Sequence, residues 1–174
     1  MRLHSHFALV AAGVLALAAL AVPQAGVAAE PGSREAIDQA AAVNTELALA
    51  YMREGNLKAA REKIDKALQQ DARTANTQMA AGFVYDKLGD KKKALSHFEQ
   101  AVKLGGKDNP DVVANAAVYF CMNGEPKRGE QYMLQAAASP LNARPDVAYA
   151  NAGRCARGDG RPKDAEQSFR MALA

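Results

Sequence analysis

The side chains with the most distinctive chemistry are two cysteines, Cys121 and Cys155, which stand 34 residues apart. A structural zinc site needs four ligands, and the histidines add few: His4 and His6 precede an apolar N-terminal run, and His97 stands alone. We therefore predict no metal site. The two thiols can instead form a disulfide bond, or they can remain small buried core residues.

Catalytic motifs are absent from the sequence. It contains no phosphate-binding loop, no glycine fingerprint of a dinucleotide site, no nucleophile elbow and no zinc-protease helix. The carboxylates mostly occupy positions predicted to face solvent, where nothing would raise a pKa towards neutrality. We therefore predict that the protein is not an enzyme and that it uses no cofactor.

An internal repeat organises the chain. The glycines Gly55, Gly89, Gly124 and Gly160 are separated by 34, 35 and 36 residues, which is the period of the tetratricopeptide repeat, a helix-turn-helix unit. After each glycine, small, large and small residues follow at spacings of four and three, which return to one face of a helix. These triplets are Ala60/Ile64/Ala67, Ala94/Phe98/Ala101, Gly129/Met133/Ala136 and Ala165/Phe169/Ala172.

The repeats predict an all-α fold, a right-handed tetratricopeptide-repeat superhelix. We expect about four helix-turn-helix repeats, at 41–74, 75–108, 110–143 and 146–174, with the last one incomplete. No segment shows the period-two alternation of a strand. Because the sequence stops within the predicted second helix of the fourth repeat, we expect a truncation relative to a longer ancestor. Coverage of that end by another molecule and a frayed terminal helix are the alternatives.

The N-terminus has the three parts of a secretory signal peptide. Arg2 precedes an apolar run over 7–22, and small residues stand before Glu30, so we predict a cleaved signal peptide over 1–29. A permanent membrane anchor is the alternative, but the run has 16 residues, whereas a spanning helix needs about 20. No cysteine ends the run, so no lipid attachment site is visible. We predict a periplasmic location and a flexible segment over 30–40.

The charge pattern argues against a nucleic-acid partner. Without Arg2 the chain has 21 basic and 19 acidic residues, a formal charge of +2. The basic residues are expected to be scattered among acidic ones on helix surfaces, and the aromatic residues fall at predicted packing positions. The run DKKK at 90–93 opens a predicted helix, and we interpret it as a solvated surface.

Export and repeat position both bear on the cysteines. Cys121 and Cys155 each stand late in the first helix of a repeat, and the first helices of stacked repeats run side by side. This predicts a disulfide, which would stabilise the fold by roughly 3–4 kcal/mol in an exported protein. The positions within the repeat differ by two, twelve against ten, so a pair of buried free thiols remains the alternative.

The first helices of such a stack line a concave surface suited to an extended peptide or a partner helix. Apolar Phe83, Met79 and Met122 would form an adaptable patch there, and Arg154 with Arg157 a cationic rim. Asn115 and Asn151 share the sixth position of their repeats, where an amide either holds a ligand or locks adjacent repeats. The predicted partner-binding groove consists of Asn76, Met79, Phe83, Asp86, Lys87, Asn115, Met122, Asn151, Arg154 and Arg157.

The last two repeats resemble a known family. The segments YFCMNGEPKRGEQYMLQAAASP and RPDVAYANAGRCARGDGRPKDAEQSFRMAL are similar to the PilF/PilW proteins of type IV pilus biogenesis. In that family a helix end of the form aromatic-x-Cys-x-x-Gly, or a close variant, is followed by a proline loop, then by Asn-Ala-Gly-x-Cys and an Ala-Glu-x-x-Phe helix. Here the aromatic residue directly precedes the cysteine. Those elements are present here as Phe120, Cys121, Gly124, Pro140, Pro145, Asn151, Ala152, Gly153, Cys155, Ala165, Glu166 and Phe169.

This resemblance implies a pilotin, a protein at the inner face of the outer membrane that binds the secretin and assists its assembly or stability. The implied partner is therefore the outer-membrane secretin of the type IV pilus. Members of that family are typically lipoproteins with six repeats, which this sequence does not match. The alternative function is a generic periplasmic repeat scaffold for another envelope complex.

Overall fold

The structure, a computed structural model, describes residue 30, residues 32–106 and residues 108–174. This part of the chain contains eight α-helices joined by short turns, and no strand occurs in it. The predicted signal peptide over 1–29 lies outside the described residues. The helices are α1 (Arg34–Arg53), α2 (Leu57–Gln70), α3 (Ala75–Lys87), α4 (Lys91–Gly105), α5 (Pro110–Met122), α6 (Pro126–Ala137), α7 (Pro145–Gly158) and α8 (Pro162–Ala172).

The helices form four pairs that stack in chain order. Within the pairs, α1 packs on α2, α3 on α4, α5 on α6, and α7 on α8. The first helix of each pair also contacts the first helix of the next pair, so α1, α3, α5 and α7 form one layer. This is the arrangement of a tetratricopeptide-repeat superhelix, and the predicted all-α fold is confirmed.

Packing within a pair depends on small residues that face large ones. Phe98 of α4 is fully buried, and a Cβ atom added to Gly82 of α3 would lie 2.8 Å from its ring. The same relation joins Gly153 of α7 to Phe169 of α8, where the distance would be 2.6 Å. Side-chain carbons do not approach this closely, so glycine is required at both places. The repeated small and large residues therefore form the packing surface between the two helices of a repeat.

A glycine in the left-handed region lies in the turn between the two helices of every repeat, followed by the cap residue of the second helix. This conformation is readily available to glycine, which has no Cβ atom. Asp90 then caps α4, because its carboxylate accepts a hydrogen bond from the backbone N–H of Lys93. The four turn glycines and their φ angles are Gly55 (79°), Gly89 (80°), Gly124 (92°) and Gly160 (72°).

The prediction of a flexible segment over 30–40 is wrong for most of its length. Helix α1 begins at Arg34, seven residues before the predicted start of the first repeat. Ser33 supplies the cap: its hydroxyl accepts a hydrogen bond from the backbone N–H of Ala36 at 3.2 Å. Arg34 then pairs with Asp38 one turn later. These local contacts extend the helix through a polar segment that has no repeat pattern.

No helix in the described ranges combines the length and the hydropathy required to cross a bilayer.

Candidate functional site

A disulfide bond joins Cys121 of α5 to Cys155 of α7, with the two Cα atoms 5.6 Å apart. The predicted pairing is therefore present, and neither cysteine is free. The two-residue offset between the repeats does not prevent it, because α7 begins at Pro145, one residue before the predicted repeat boundary. Counted from the first residue of each helix, the cysteines differ by only one position. The bond fixes the first helices of repeats three and four to each other.

The sulfur atoms lie against the first turn of α6. A Cβ atom added to Gly129 would be 2.5 Å from Sγ of Cys121, so this glycine makes room for the disulfide. The carbonyl oxygen of Pro126 lies 3.0 Å from Sγ of Cys155. A disulfide sulfur carries no hydrogen, so this is a close nonbonded contact. The disulfide thus packs among α5, α6 and α7.

A cavity of about 570 Å³ opens beside the disulfide, and we call it the α5–α7 pocket. Its wall is largely apolar, and Met122, with 79% of its surface exposed, stands at the entrance. Three residues of the predicted groove belong to it: Met122, Asn151 and Arg154. The lining comprises Val118, Cys121, Met122, Gly124, Pro126, Met133, Asn151, Arg154, Cys155, Gly158 and Asp159.

The two charged side chains of the α5–α7 pocket differ in whether they form an ion pair. Arg154 donates a hydrogen bond to Oδ1 of Asn151 one turn away and makes no ion pair with a carboxylate in the described ranges. Asp159 instead pairs with Nε of Arg161 at 2.8 Å. The pocket therefore combines an apolar wall with one guanidinium that has no carboxylate partner.

Arg161 joins repeats three and four at the base of α8. Its guanidinium hydrogen-bonds Glu130 of α6, Asp159 at 2.8 Å and Asp164 at 2.7 Å. The hydrogen bond to Glu130, followed by those to Asp159 and Asp164, raises the pKa of Arg161. Glu130 is buried, so its charge needs this partner. This network was not predicted from the sequence. The three-residue spacing of Arg161 and Asp164 could have indicated one of its ion pairs.

Within the described part of the chain, neither Asn151 nor Asn115 makes a hydrogen bond to a neighbouring repeat that would lock the two together. Asn151 bonds within α7, and Asn115 is exposed on α5. A polar contact between neighbouring first helices is found elsewhere: the hydroxyl oxygens of Thr45 in α1 and Thr77 in α3 lie 3.1 Å apart. The alternative in which the asparagines hold a ligand stays a prediction.

The predicted groove residues of the second repeat all lie on α3, away from the α5–α7 pocket. Phe83 and Met79 are half-buried against the core, and the Phe83 ring meets Phe98 edge-on at 5.0 Å. Asp86 forms an ion pair with Lys91 at 2.6 Å. Asn76 and Lys87 are exposed. The most apolar members of this set therefore contribute to packing.

Arg157 is not part of the α5–α7 pocket, so it forms no common rim with Arg154. Its guanidinium lies 5.9 Å from the centroid of the Phe169 ring, within reach of a cation–π interaction. Arg157 and Phe169 line a separate cavity of about 270 Å³ near the end of α8. The spacing of three residues would allow a common face, and the contact with the Phe169 ring is what holds Arg157 away from the pocket.

A polar cluster that the sequence did not predict joins α2, α3 and α4. The Tyr85 hydroxyl donates to Asp65, and burial, followed by that hydrogen bond, raises the pKa of Tyr85 to about 12. The His97 ring stacks on Tyr85 at 5.3 Å, and its Nδ1 lies 2.7 Å from Oε1 of Gln78. Because an amide oxygen can only accept, Nδ1 of His97 carries the proton.

Among the residues that the structure describes, no group of three histidine, cysteine, aspartate or glutamate side chains could hold a metal ion. The disulfide cysteines, His97 and the carboxylates near Arg161 are all among these residues.

Comparison with known proteins agrees with the fold. A tetratricopeptide-repeat family model matches residues 39–105. The structure of PilW, described as a widely conserved type IV pilus biogenesis factor, superimposes with a TM-score of 0.68 and 26% identity. That match covers 78% of this chain and 61% of PilW. PilF of Pseudomonas aeruginosa gives a TM-score of 0.69 over 79% of this chain and 61% of PilF; at 23% identity this likeness concerns the fold.

A protein of Haemophilus influenzae described as uncharacterized is 32% identical over 101 residues, 58% of this chain and 56% of its own length. The chain thus spans about 60% of the length of each of these three proteins. Together with the stacked helix pairs, these matches show a tetratricopeptide-repeat fold similar to the folds of PilW and PilF.

Proposed function

We propose that the chain is a periplasmic, non-enzymatic binding protein of type IV pilus biogenesis, which assists secretin assembly or stability. It would hold a segment of the secretin against the surface formed by α3, α5 and α7, with the α5–α7 pocket as the main contact. Binding would cover apolar secretin surface that otherwise misassembles.

One observation carries this proposal. Four of the twelve residues that resemble the pilus family in sequence, Cys121, Gly124, Asn151 and Cys155, come from two repeats and meet in the lining of the α5–α7 pocket. The likeness to PilW at 26% identity covers most of the chain and supports the same reading of the fold. A pocket with an apolar wall and an Arg154 that has no carboxylate partner among the described residues suits a peptide with an apolar side chain beside an acidic group.

The direct test is recovery of the secretin with a C-terminally tagged chain from detergent extracts of piliated cells. We expect Met122→Glu and Arg154→Glu each to reduce the recovered secretin about tenfold or more, the range of an interface hot spot. Met171→Glu and Arg170→Glu are matched controls, since both residues are exposed on α8 outside the pocket. Secretin recovery that is equal in all four variants would exclude the pocket.

A deletion strain tests the cellular role separately. The proposal predicts fewer assembled secretin rings and weaker twitching motility, restored by the wild-type gene. Unchanged rings and unchanged motility would exclude a role in pilus biogenesis. Recovery of another envelope complex in place of the secretin would support the alternative of a general periplasmic scaffold.

A further inference from the structure

One lysine stands at the same place in every repeat. The second residue of each second helix is a lysine, and all four side chains are exposed. The second helices begin at the glycine turns, and the first helices form one layer, so these turns lie along one edge of the superhelix. We call it the turn edge, consisting of residues 53–59, 87–93, 123–128 and 157–164. Its repeated lysines are Lys58, Lys92, Lys127 and Lys163.

These four charges are not neutralised within the fold. Two other lysines of the turn edge are paired: Lys91 with Asp86 at 2.6 Å and Lys93 with Asp90 at 3.8 Å. In contrast, none of the four repeated lysines forms an ion pair with a carboxylate of the described ranges. Their ammonium groups therefore remain available to an external anion.

The position of these lysines is unfavourable for the helices that carry them. The N-terminus of a helix is its positive end, where acidic residues stabilise and basic residues destabilise. The first turns of α2, α4 and α6 nevertheless contain no acidic residue. The lysines thus add to the positive potential of the exposed N–H groups at the turn edge and do not contribute to helix stability.

The fold separates charges that alternate along the sequence. The turn edge contains 11 basic and 5 acidic residues, a charge of +6, whereas the remainder of 30–174 contains 10 basic and 14 acidic residues, a charge of −4. The prediction that basic residues are scattered among acidic ones on the helix surfaces is therefore wrong at the turn edge. Stacking the repeats collects one basic turn from each of them.

We propose that the turn edge docks against a membrane surface rich in anionic lipid headgroups. Its charges extend over all four repeats. An extended anionic surface could contact all of them at once, whereas one small anion could not. Lysine is a mobile point charge, and each lysine near an anionic bilayer adds to the attraction. The four turns contain no aromatic residue, so the bases of a single-stranded nucleic acid would find no stacking surface there.

Docking in this way would also place the α5–α7 pocket near the bilayer. Gly124 and Asp159 belong both to the turn edge and to the lining of the pocket. The inference itself rests on the charges of the turn edge and does not depend on the identity of the peptide partner.

Vesicle flotation tests the proposal with the purified protein, after mass spectrometry has established its N-terminal residue. The probes are vesicles of phosphatidylcholine alone and vesicles with about one third phosphatidylglycerol, at low and high salt. We expect binding to the anionic vesicles only, and a loss at high salt. The triple variant Lys58→Gln, Lys92→Gln, Lys127→Gln should bind about tenfold or more weakly.

The matched control is Lys63→Gln, Lys66→Gln, Lys103→Gln, which removes the same charge from other parts of α2 and α4. It should retain most of the binding, and thermal unfolding should show that both variants are folded. Equal losses of vesicle binding in the two variants would show that binding depends on net charge and not on the turn edge, and would overturn the proposal. The proposal would also be overturned if the protein did not bind anionic vesicles at low salt, or if it bound vesicles of phosphatidylcholine alone. Binding of a 20-nucleotide DNA that depends on the turn edge, without binding to lipid, would overturn it as well.

Discussion

The rings of Phe98 and Tyr119 stack across the boundary between the second and third repeats, with centroids 4.3 Å apart. On its other side the Phe98 ring meets Phe83 edge-on at 5.0 Å. Phe98 therefore contributes both to the packing within its own repeat and to the stacking of the next one. A repeat cannot cover its apolar face alone, so contacts of this kind hold the superhelix together.

Truncation of Phe98 is expected to destabilise the whole described domain. Phe98→Ala should lower the free energy of unfolding by about 3–5 kcal/mol, because it opens a cavity at a fully buried position between two repeats. Urea unfolding followed by circular dichroism measures this loss. Leu104→Ala, on the same helix at a side chain that is 41% exposed, is the control and should cost much less. Equal losses for the two variants would contradict the assigned packing.

Two glycines of the pocket region should respond in opposite ways to alanine. Gly129→Ala places a Cβ atom 2.5 Å from Sγ of Cys121 and 2.7 Å from the carbonyl oxygen of Ala117. We expect it to lower the free energy of unfolding by about 1–3 kcal/mol, as in an overpacked core. Gly158→Ala meets no atom within 4 Å and should be neutral or slightly stabilising. A stable Gly129→Ala protein with an intact disulfide would contradict the close contact.

Reduction of the disulfide should destabilise the protein without removing the fold. The bond spans 34 residues, and the chain-entropy model gives about 3–4 kcal/mol for a loop of this length. Thermal unfolding with and without a reductant measures the difference. The double variant Cys121→Ala, Cys155→Ala should resemble the reduced protein and show no response to reductant. A wild-type melting temperature that does not change on complete reduction would refute this expectation.

His97 should make stability depend on pH. Burial, followed by the charge of Lys93, lowers the pKa of His97 below its ordinary value of 6.5, while Asp65 and Asp90 act in the opposite direction. Below pH 6.5 the unfolded chain therefore binds a proton that the folded one does not. The stabilisation is complete above pH 6.5 and is lost as pH falls through the lowered pKa.

Urea unfolding between pH 8 and pH 5 tests this expectation with His97→Gln as the comparison. The wild-type protein should lose stability relative to the variant as the pH falls below 6.5, because carboxylate titrations are common to both. Parallel curves over this range, or a wild-type protein that gains relative stability in acid, would contradict the assigned environment of His97.

Local spacing was sufficient to predict the repeat architecture. Glycines at intervals of 34, 35 and 36 residues and the triplets around Ile64, Phe98, Met133 and Phe169 identified the helix pairs and their packing faces. These features repeat because every unit has the same local structure, a left-handed turn followed by close contact between two helices. The start of α1 was missed because a serine cap and an i,i+4 ion pair extend it beyond the repeat pattern.

The candidate site was predicted less completely. The disulfide followed from equivalent repeat positions, and Met122, Asn151 and Arg154 were correctly placed on first helices that meet at one pocket. Their neighbours Pro126, Met133 and Asp159 come from a second helix and from turns, which a count along first helices cannot reach. The position of Arg157 over Phe169 likewise depends on a contact between two helices.

The sequence by itself determined that this chain forms stacked helix pairs, because the spacing of glycines, small residues and large residues is a local property that recurs in each repeat. Tertiary structure alone decided which side chains share a surface. Stacking brings together residues about 35 positions apart, such as the lysines of the turn edge. Partner contacts depend on that three-dimensional arrangement, and distance along the chain does not encode it.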